Sequence, residues 1–158
     1  MAGDARRRQR VPEVMTGGRR SALRAALALA ALVAGVRPAA AQVGASVEAT
    51  RAAREWLALT DAGDGAGSWK AAGLQFRNAI TADRWSEALA AVRRPLGALG
   101  QRTVLSTRLE KAIPGAPDGD YAVVLFRTSF AQKADGGETV TLAREQDGRW
   151  RVVGYFVE

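Results

Sequence analysis

The chain of 158 residues has no cysteine and no histidine. The first absence removes disulfides, thiolate metal sites, a nucleophilic thiol and the lipid-bearing Cys of a bacterial lipoprotein. The second removes the usual proton shuttle and the commonest metal ligand, so Ser-His-Asp hydrolysis and metallohydrolase chemistry fall away. No glycine-rich phosphate loop precedes a helix, as an ordinary nucleotide site requires. Neither a metal nor a cofactor is expected. Long apolar runs are missing too: the uncharged stretch from Ala25 to Val36 spans about 18 Å as a helix, short of the roughly 30 Å hydrocarbon core of a bilayer.

What is present begins with charge. The formal net charge is +7 and the isoelectric point lies near 10.9, values that point toward an acidic partner such as nucleic acid. Their distribution reverses that reading. Residues 1–41 hold eight Arg against two acids, net +6, whereas residues 42–158 hold 15 Lys or Arg against 14 acids, net +1. A nearly neutral domain with a basic leader predicts no nucleic-acid binding. The leader runs from a basic head through the Ala25 to Val36 stretch to Pro38-Ala39-Ala40-Ala41, the order of an export signal, with cleavage expected between Ala41 and Gln42. Residues 42–158 then form one α+β domain, periplasmic or secreted and without a stable membrane anchor. Arg19-Arg20 before Ser21-Ala22-Leu23 loosely resembles a twin-arginine signal. Both export routes stay open, as does the choice of Met1 or Met15 as the start.

The first half of the domain reads as helical. Ala49, Ala52, Ala53, Trp56 and Leu59 share one face of a first helix. Asp61 to Gly67 stops it with turn chemistry, and that stretch lacks the alternating acids and distal Glu of a calcium loop. Ser68 is read as the N-cap of a second helix carrying Trp69, Ala72, Gly73, Phe76 and Ile80. A third helix opens near Thr81 or Asp83, places Trp85, Ala88, Leu89, Val92 and Leu96 inward, and ends at Arg93-Arg94-Pro95. Tryptophan at helical spacing in three successive helices is read as core.

The second half alternates with period two. Leu105, Thr107 and Leu109 give a half-buried strand, and Tyr121 to Gln132 has apolar residues on both faces, as a central strand does. Asp135-Gly136-Gly137 is read as a turn into a third strand. Asp147-Gly148 between apolar runs predicts a two-residue hairpin that pairs Leu142 with Val153, Val140 with Tyr155 and Glu145 with Trp150. In that register Trp150 and Tyr155 project to opposite faces, so only one joins the core. The expected fold is thus three N-terminal helices packed on a curved four-stranded antiparallel meander.

A set of short pieces carries a family resemblance. They are Trp56, Asp61-x-Gly63, Ser68-Trp69, Trp85, Arg94-Pro95-Leu96-Gly97, Arg102, Pro114-Gly115-x-Pro117-Asp118-Gly119-x-Tyr121, Glu138-Thr139 and Asp147-Gly148-x-Trp150-Arg151-Val152-x-Gly154-Tyr155-Phe156. Together they resemble the bacterial domain of unknown function family 4019, from about Glu48 to Glu158. The resemblance implies an exported domain and carries over no catalytic residue. Helices followed by a curved meander are also similar to the cystatin-like or nuclear-transport-factor-like cone, and a fold by itself does not give a function.

Four side chains are candidates for binding. Arg94, at the end of the third helix, is placed to meet a ligand carboxylate, Asp118 or Glu138. Arg127, flanked by apolar strand residues, suits a buried pair or an anion contact. Tyr121 and Tyr155 have hydroxyls suited to a cone mouth. The reading is a non-catalytic envelope domain that binds a small ligand or an envelope protein. Two others stand beside it: a small cone-fold enzyme using a carboxylate with Tyr or Arg, and a structural homodimer.

Overall fold

The computed structural model describes residues 39–158. The expected leader lies outside the described residues except for Ala39 to Ala41, and the Ala41–Gln42 bond falls in the first turn of helix α1 (Ala39–Asp61). There follow α2 (Gly65–Ala71), α3 (Leu74–Ala79), α4 (Ala82–Arg93), a 3₁₀ turn (Arg94–Leu96), and strands β1 (Leu99–Glu110), β2 (Tyr121–Phe130), β3 (Lys133–Arg144) and β4 (Trp150–Val157). The strands form one antiparallel sheet in the order β1-β2-β3-β4, the four-stranded meander that the sequence pattern predicts. Among the described residues no helix is long and apolar enough to cross a membrane.

Helix α1 lies across one face of the sheet and touches all four strands. Small Ala49 and Ala53 allow the close approach, and Trp56 and Leu57 fill the space beneath. The strands answer with Ala122, Val124, Phe126, Val140, Leu142 and Val152, all in the same apolar cluster. Burying each of the larger side chains contributes about 1.5–3 kcal/mol. Helix α4 starts at Thr81, whose hydroxyl accepts from Arg84 N–H. It turns Trp85 and Leu89 inward, whereas Val92 is 45% exposed and Ala88 is exposed, so the buried stripe is narrower than the spacing suggests.

The aromatic side chains form a knot. The rings of Phe76 and Trp85 lie 5.0 Å apart at right angles, Trp56 and Trp85 5.8 Å, and Trp56 and Tyr155 5.3 Å. Buried Ser68 fastens it: its carbonyl accepts from Trp56 Nε1 at 2.8 Å and its hydroxyl from Trp85 Nε1 at 2.9 Å. Ser68 is therefore not the expected N-cap. Asp64 caps α2, accepting from Gly67 N–H at 2.7 Å.

The expected second helix is in fact two. At Ala72 and Gly73 the chain becomes extended, with ψ of 164° and 161°. Gly73 can then donate its N–H to the carbonyl of Val152 at 2.8 Å. A side chain on Gly73 would meet Val153 Cγ1 at 3.1 Å and the Val152 carbonyl at 3.3 Å, so glycine allows this close approach to the strand without displacing either neighbour. The Asp135-Gly136-Gly137 turn is also corrected. The chain reverses at Ala131-Gln132, and the two glycines pair within the sheet, Gly136 with Thr128 and Gly137 with Arg127.

Both edge strands carry a bulge that resets side-chain parity. In β1 Val104 faces Phe126 and Ser106 faces Leu125, which leaves Leu105 unpaired and 61% exposed instead of buried. In β4 Leu142 faces Val152 but Thr141 faces Gly154, with Val153 the extra residue. The hairpin loop holds three residues rather than two. Gly148 N–H bonds to the Glu145 carbonyl at 2.8 Å, Glu145 N–H to the Arg149 carbonyl at 2.9 Å, and Gly148 has φ of 79°. That is a turn closed by a left-handed glycine, the standard three-residue hairpin. The longer loop shifts the pairing by one at Arg144–Trp150, and the bulge restores the expected Val140–Tyr155 pair further along. As a result Trp150 and Tyr155 both face the helices, and Trp150 is 8% exposed.

Candidate functional site

Two polar constellations stand out, one closed and one open. The closed one gathers a residue from each of six elements. Asp61 ends α1, Arg93 ends α4, and Arg102, Thr128, Glu138 and Tyr155 come from the four strands in turn. Arg93 reaches inward because it follows Trp85 and Leu89 at intervals of four, on the buried face of α4. Its guanidinium covers the Phe130 ring at 4.6 Å and pairs with Asp61. Arg102 grips Asp61 with two N–H groups, at 2.7 and 2.9 Å, and Glu138 with two more, at 2.6 and 3.1 Å.

Glu138 has a fully buried side chain. Its Oε1 accepts from Tyr155 at 2.8 Å, from Arg102 and from Arg93 at 3.3 Å. Its Oε2 accepts from Thr128 at 2.6 Å and from Arg102. Five donors on two oxygens fill the acceptor capacity of a carboxylate. Two cations and two anions also cancel, which is the condition for burying charge at tolerable cost. Burial pushes the Tyr155 hydroxyl well above its ordinary range, and the neighbouring Glu138 charge adds to the effect. For Arg102, burial opposes the cation, but the hydrogen bonds and charges of Asp61 and Glu138 outweigh it and hold the proton more firmly than usual.

Of the four sequence candidates, only Tyr155 enters this cluster. Arg94 is exposed, one residue past the arginine that does the pairing. Tyr121 is buried and donates its hydroxyl to the Pro117 carbonyl at 2.7 Å, tying down the loop before β2. Arg127 projects from the open face of the sheet with its side chain 71% exposed, 3.9 Å from Asp135. Asp61, Arg102 and Glu138 belong to the recognisable motif pieces, yet only the strand order brings them together.

The open constellation is a groove between α1 and the β3–β4 hairpin. One hollow of about 430 Å³ is lined by Glu48, Arg51, Ala52, Glu55, Gly148, Arg149 and Trp150. A second, of about 320 Å³, shares Ala52, Glu55, Arg149 and Trp150 and continues past Trp56, Leu59, Ala71, Arg151 and Val152. Several of its charges are already paired. Arg51 bonds Glu55 at 2.8 Å, and Arg151 bonds Glu145 at 2.6 Å and Asp147 at 2.7 Å. The Arg151 guanidinium, with the Arg149 N–H, holds the Asp147 carboxyl down to about 2.

Trp150, common to both hollows, differs from the other indoles. Trp56 and Trp85 bond to Ser68, and Trp69 donates to the Ile80 carbonyl at 2.7 Å. Among the described residues Trp150 Nε1 is the buried side-chain nitrogen without a hydrogen-bond partner. Such atoms are rare in folded proteins, and each calls for a physical account. The sequence signal was present in Arg149-Trp150-Arg151, an indole between two cations beside a hairpin turn. Read in a strict two-residue register, it marked a sheet face rather than a groove.

Residues 52–155 match the model of a family described as "Protein of unknown function (DUF4019)". No curated protein matches the chain, and no solved structure does.

Proposed function

The chain belongs to the DUF4019 family, and we propose for this member a non-catalytic binding role in the bacterial envelope, exercised through the groove between α1 and the hairpin. The observation that carries the reading is Trp150: a buried indole donor left without a partner among the described residues, in one of the side chains common to both hollows. An unmade hydrogen bond at a buried donor costs about 1–3 kcal/mol. A ligand that displaces the groove wall and brings an acceptor to that donor recovers the loss, so the unmet bond becomes a source of affinity.

The enzyme alternative rests on Glu138 beside Tyr155 and two arginines, a buried carboxylate of the kind that acid–base chemistry uses. Against it, both oxygens of Glu138 are saturated by protein donors and its side chain is closed to solvent. A general base needs a free direction toward its proton. The envelope part of the reading rests on the basic head and apolar run of residues 1–41.

The test is a small-fragment screen by nuclear magnetic resonance on ¹⁵N-labelled protein, following the four indole N–H signals. The expected result is a set of fragments, each carrying a carbonyl or carboxylate acceptor, that shifts the Trp150 indole first. A screen whose hits leave Trp150 unmoved overturns the groove reading. N-terminal sequencing of the envelope fraction, expected to begin at Gln42, tests the location.

A further inference from the structure

We infer that the occupant of the groove is an extended peptide segment of another protein, which adds to the sheet along the outer edge of β4 at Trp150. The inference rests on the groove reading above and concerns what fills the groove.

The backbone of β4 sets the geometry. Arg149 uses its carbonyl toward β3, accepting from Glu145 N–H at 2.9 Å. Consecutive strand residues direct their backbone groups to alternate sides, so Trp150 points its N–H and C=O away from β3, toward the groove. Val152, two residues on, has the same orientation, and its carbonyl takes the Gly73 N–H at 2.8 Å. The outer edge of β4 therefore already accepts one strand-like rung from its own chain. At Trp150 the next rung is open: among the described residues no group outside the sheet bonds to its N–H or C=O.

The side chain at that position repeats the message. Trp150 offers a buried indole N–H in want of an acceptor. The backbone of Trp150 thus presents an open donor and an open acceptor along that edge, which matches the alternating carbonyls and amides of a peptide backbone. The lining from Glu48 to Leu59 on α1 spans about 16 Å of helix, the length of about five extended residues. Beside the paired Arg51 and Glu55, Glu48 on α1 and Arg149 on the hairpin line the same hollow, so the two walls offer opposite charges to the flanks of the strand. Paired backbone bonds supply affinity in this mode, and side-chain pockets supply selectivity.

The experiment pans a phage-displayed random decapeptide library against the full chain. Enriched sequences are then titrated as free peptides, with ¹⁵N-labelled protein to locate them. The expected outcome is a peptide that shifts the Trp150 indole and slows hydrogen exchange at the Trp150 amide. N-methylation of that peptide at the one residue whose N–H meets the Trp150 carbonyl weakens binding tenfold or more, while methylation at its neighbours leaves it unchanged. Trp150→Phe, which keeps a six-membered aromatic ring and removes the indole donor, weakens binding roughly three- to tenfold, as expected for one hydrogen bond. Peptides that bind in the groove but tolerate N-methylation everywhere overturn the strand pairing and leave the groove reading intact. Peptides that shift residues elsewhere, or a library that yields no binder, overturn the inference outright.

Discussion

The ionic cluster and the groove are built from the same kinds of side chain, arginines, carboxylates and one aromatic donor, and they end in opposite states. In the cluster every side chain has a partner. Tyr155 gives its proton to Glu138, and Asp61 and Glu138 share two arginines between them. In the groove the charges pair along the walls while the Trp150 indole stays unbonded. Both aromatic residues lie on β4 and on the same face of it, so strand position does not account for the contrast. The surroundings do. Where six elements converge, each supplies a partner; where a helix runs past the end of a hairpin, too few meet to close the network. A saturated polar network holds a structure together, and an unsaturated one at an edge is where a second molecule has something to add.

Substitutions can break or sharpen that contrast. Glu138→Gln has the largest expected effect, because it keeps the volume and leaves two arginines opposite Asp61 alone. Breaking a buried pair in this way costs about 3–5 kcal/mol, read as a lower urea midpoint. Tyr155→Phe comes next, at about 1.5–3 kcal/mol for a hydrogen bond to a charged acceptor. It also changes the response to alkali. The hydroxyl is held above its ordinary value of 10.0 in the fold, so its contribution is fully present below that pH and is lost as pH rises beyond it. The Phe variant loses that part of the alkaline destabilisation, seen in melting temperatures taken from pH 8 to 11. Trp150→Phe has the smallest effect on stability, about 1–2 kcal/mol, since it loses the packing of the five-membered half of a buried indole but deletes a donor that makes no hydrogen bond. A Trp150→Phe loss as large as that of Glu138→Gln would show the two regions to be alike and remove the basis for the contrast.

Much of the fold was legible in the residues. The apolar residues on both faces of Tyr121 to Gln132 identified a central strand, Thr81 or Asp83 bracketed the start of α4, and the turn chemistry at Asp147-Gly148 located the last hairpin. What escaped was a matter of single residues. A period of two cannot register one inserted residue, so the bulges at Leu105 and Val153 were invisible, and with them the shared face of Trp150 and Tyr155. A three-residue loop closed by Gly148 has the same Asp-Gly signature as the two-residue one. Arg93 and Arg94 are neighbours of equal charge, and only the Trp85, Leu89, Arg93 interval separates the inward one from the exposed one. The split after α2 was hidden because Gly73 answers to a carbonyl on β4 rather than to its own neighbours. The cluster needed the strand order before Asp61, Arg102 and Glu138 could be seen as one object.

Ser68 has a consequence for how the molecule comes apart. A single buried residue on α2 holds the indole of α1 by its carbonyl and the indole of α4 by its hydroxyl. Detaching α1 or α4 breaks one of these bonds to α2, and detaching α2 frees both indole donors, so none has a cheap way to fray alone. Helices α1, α2 and α4 are thus expected to open as one cooperative unit in native-state hydrogen exchange.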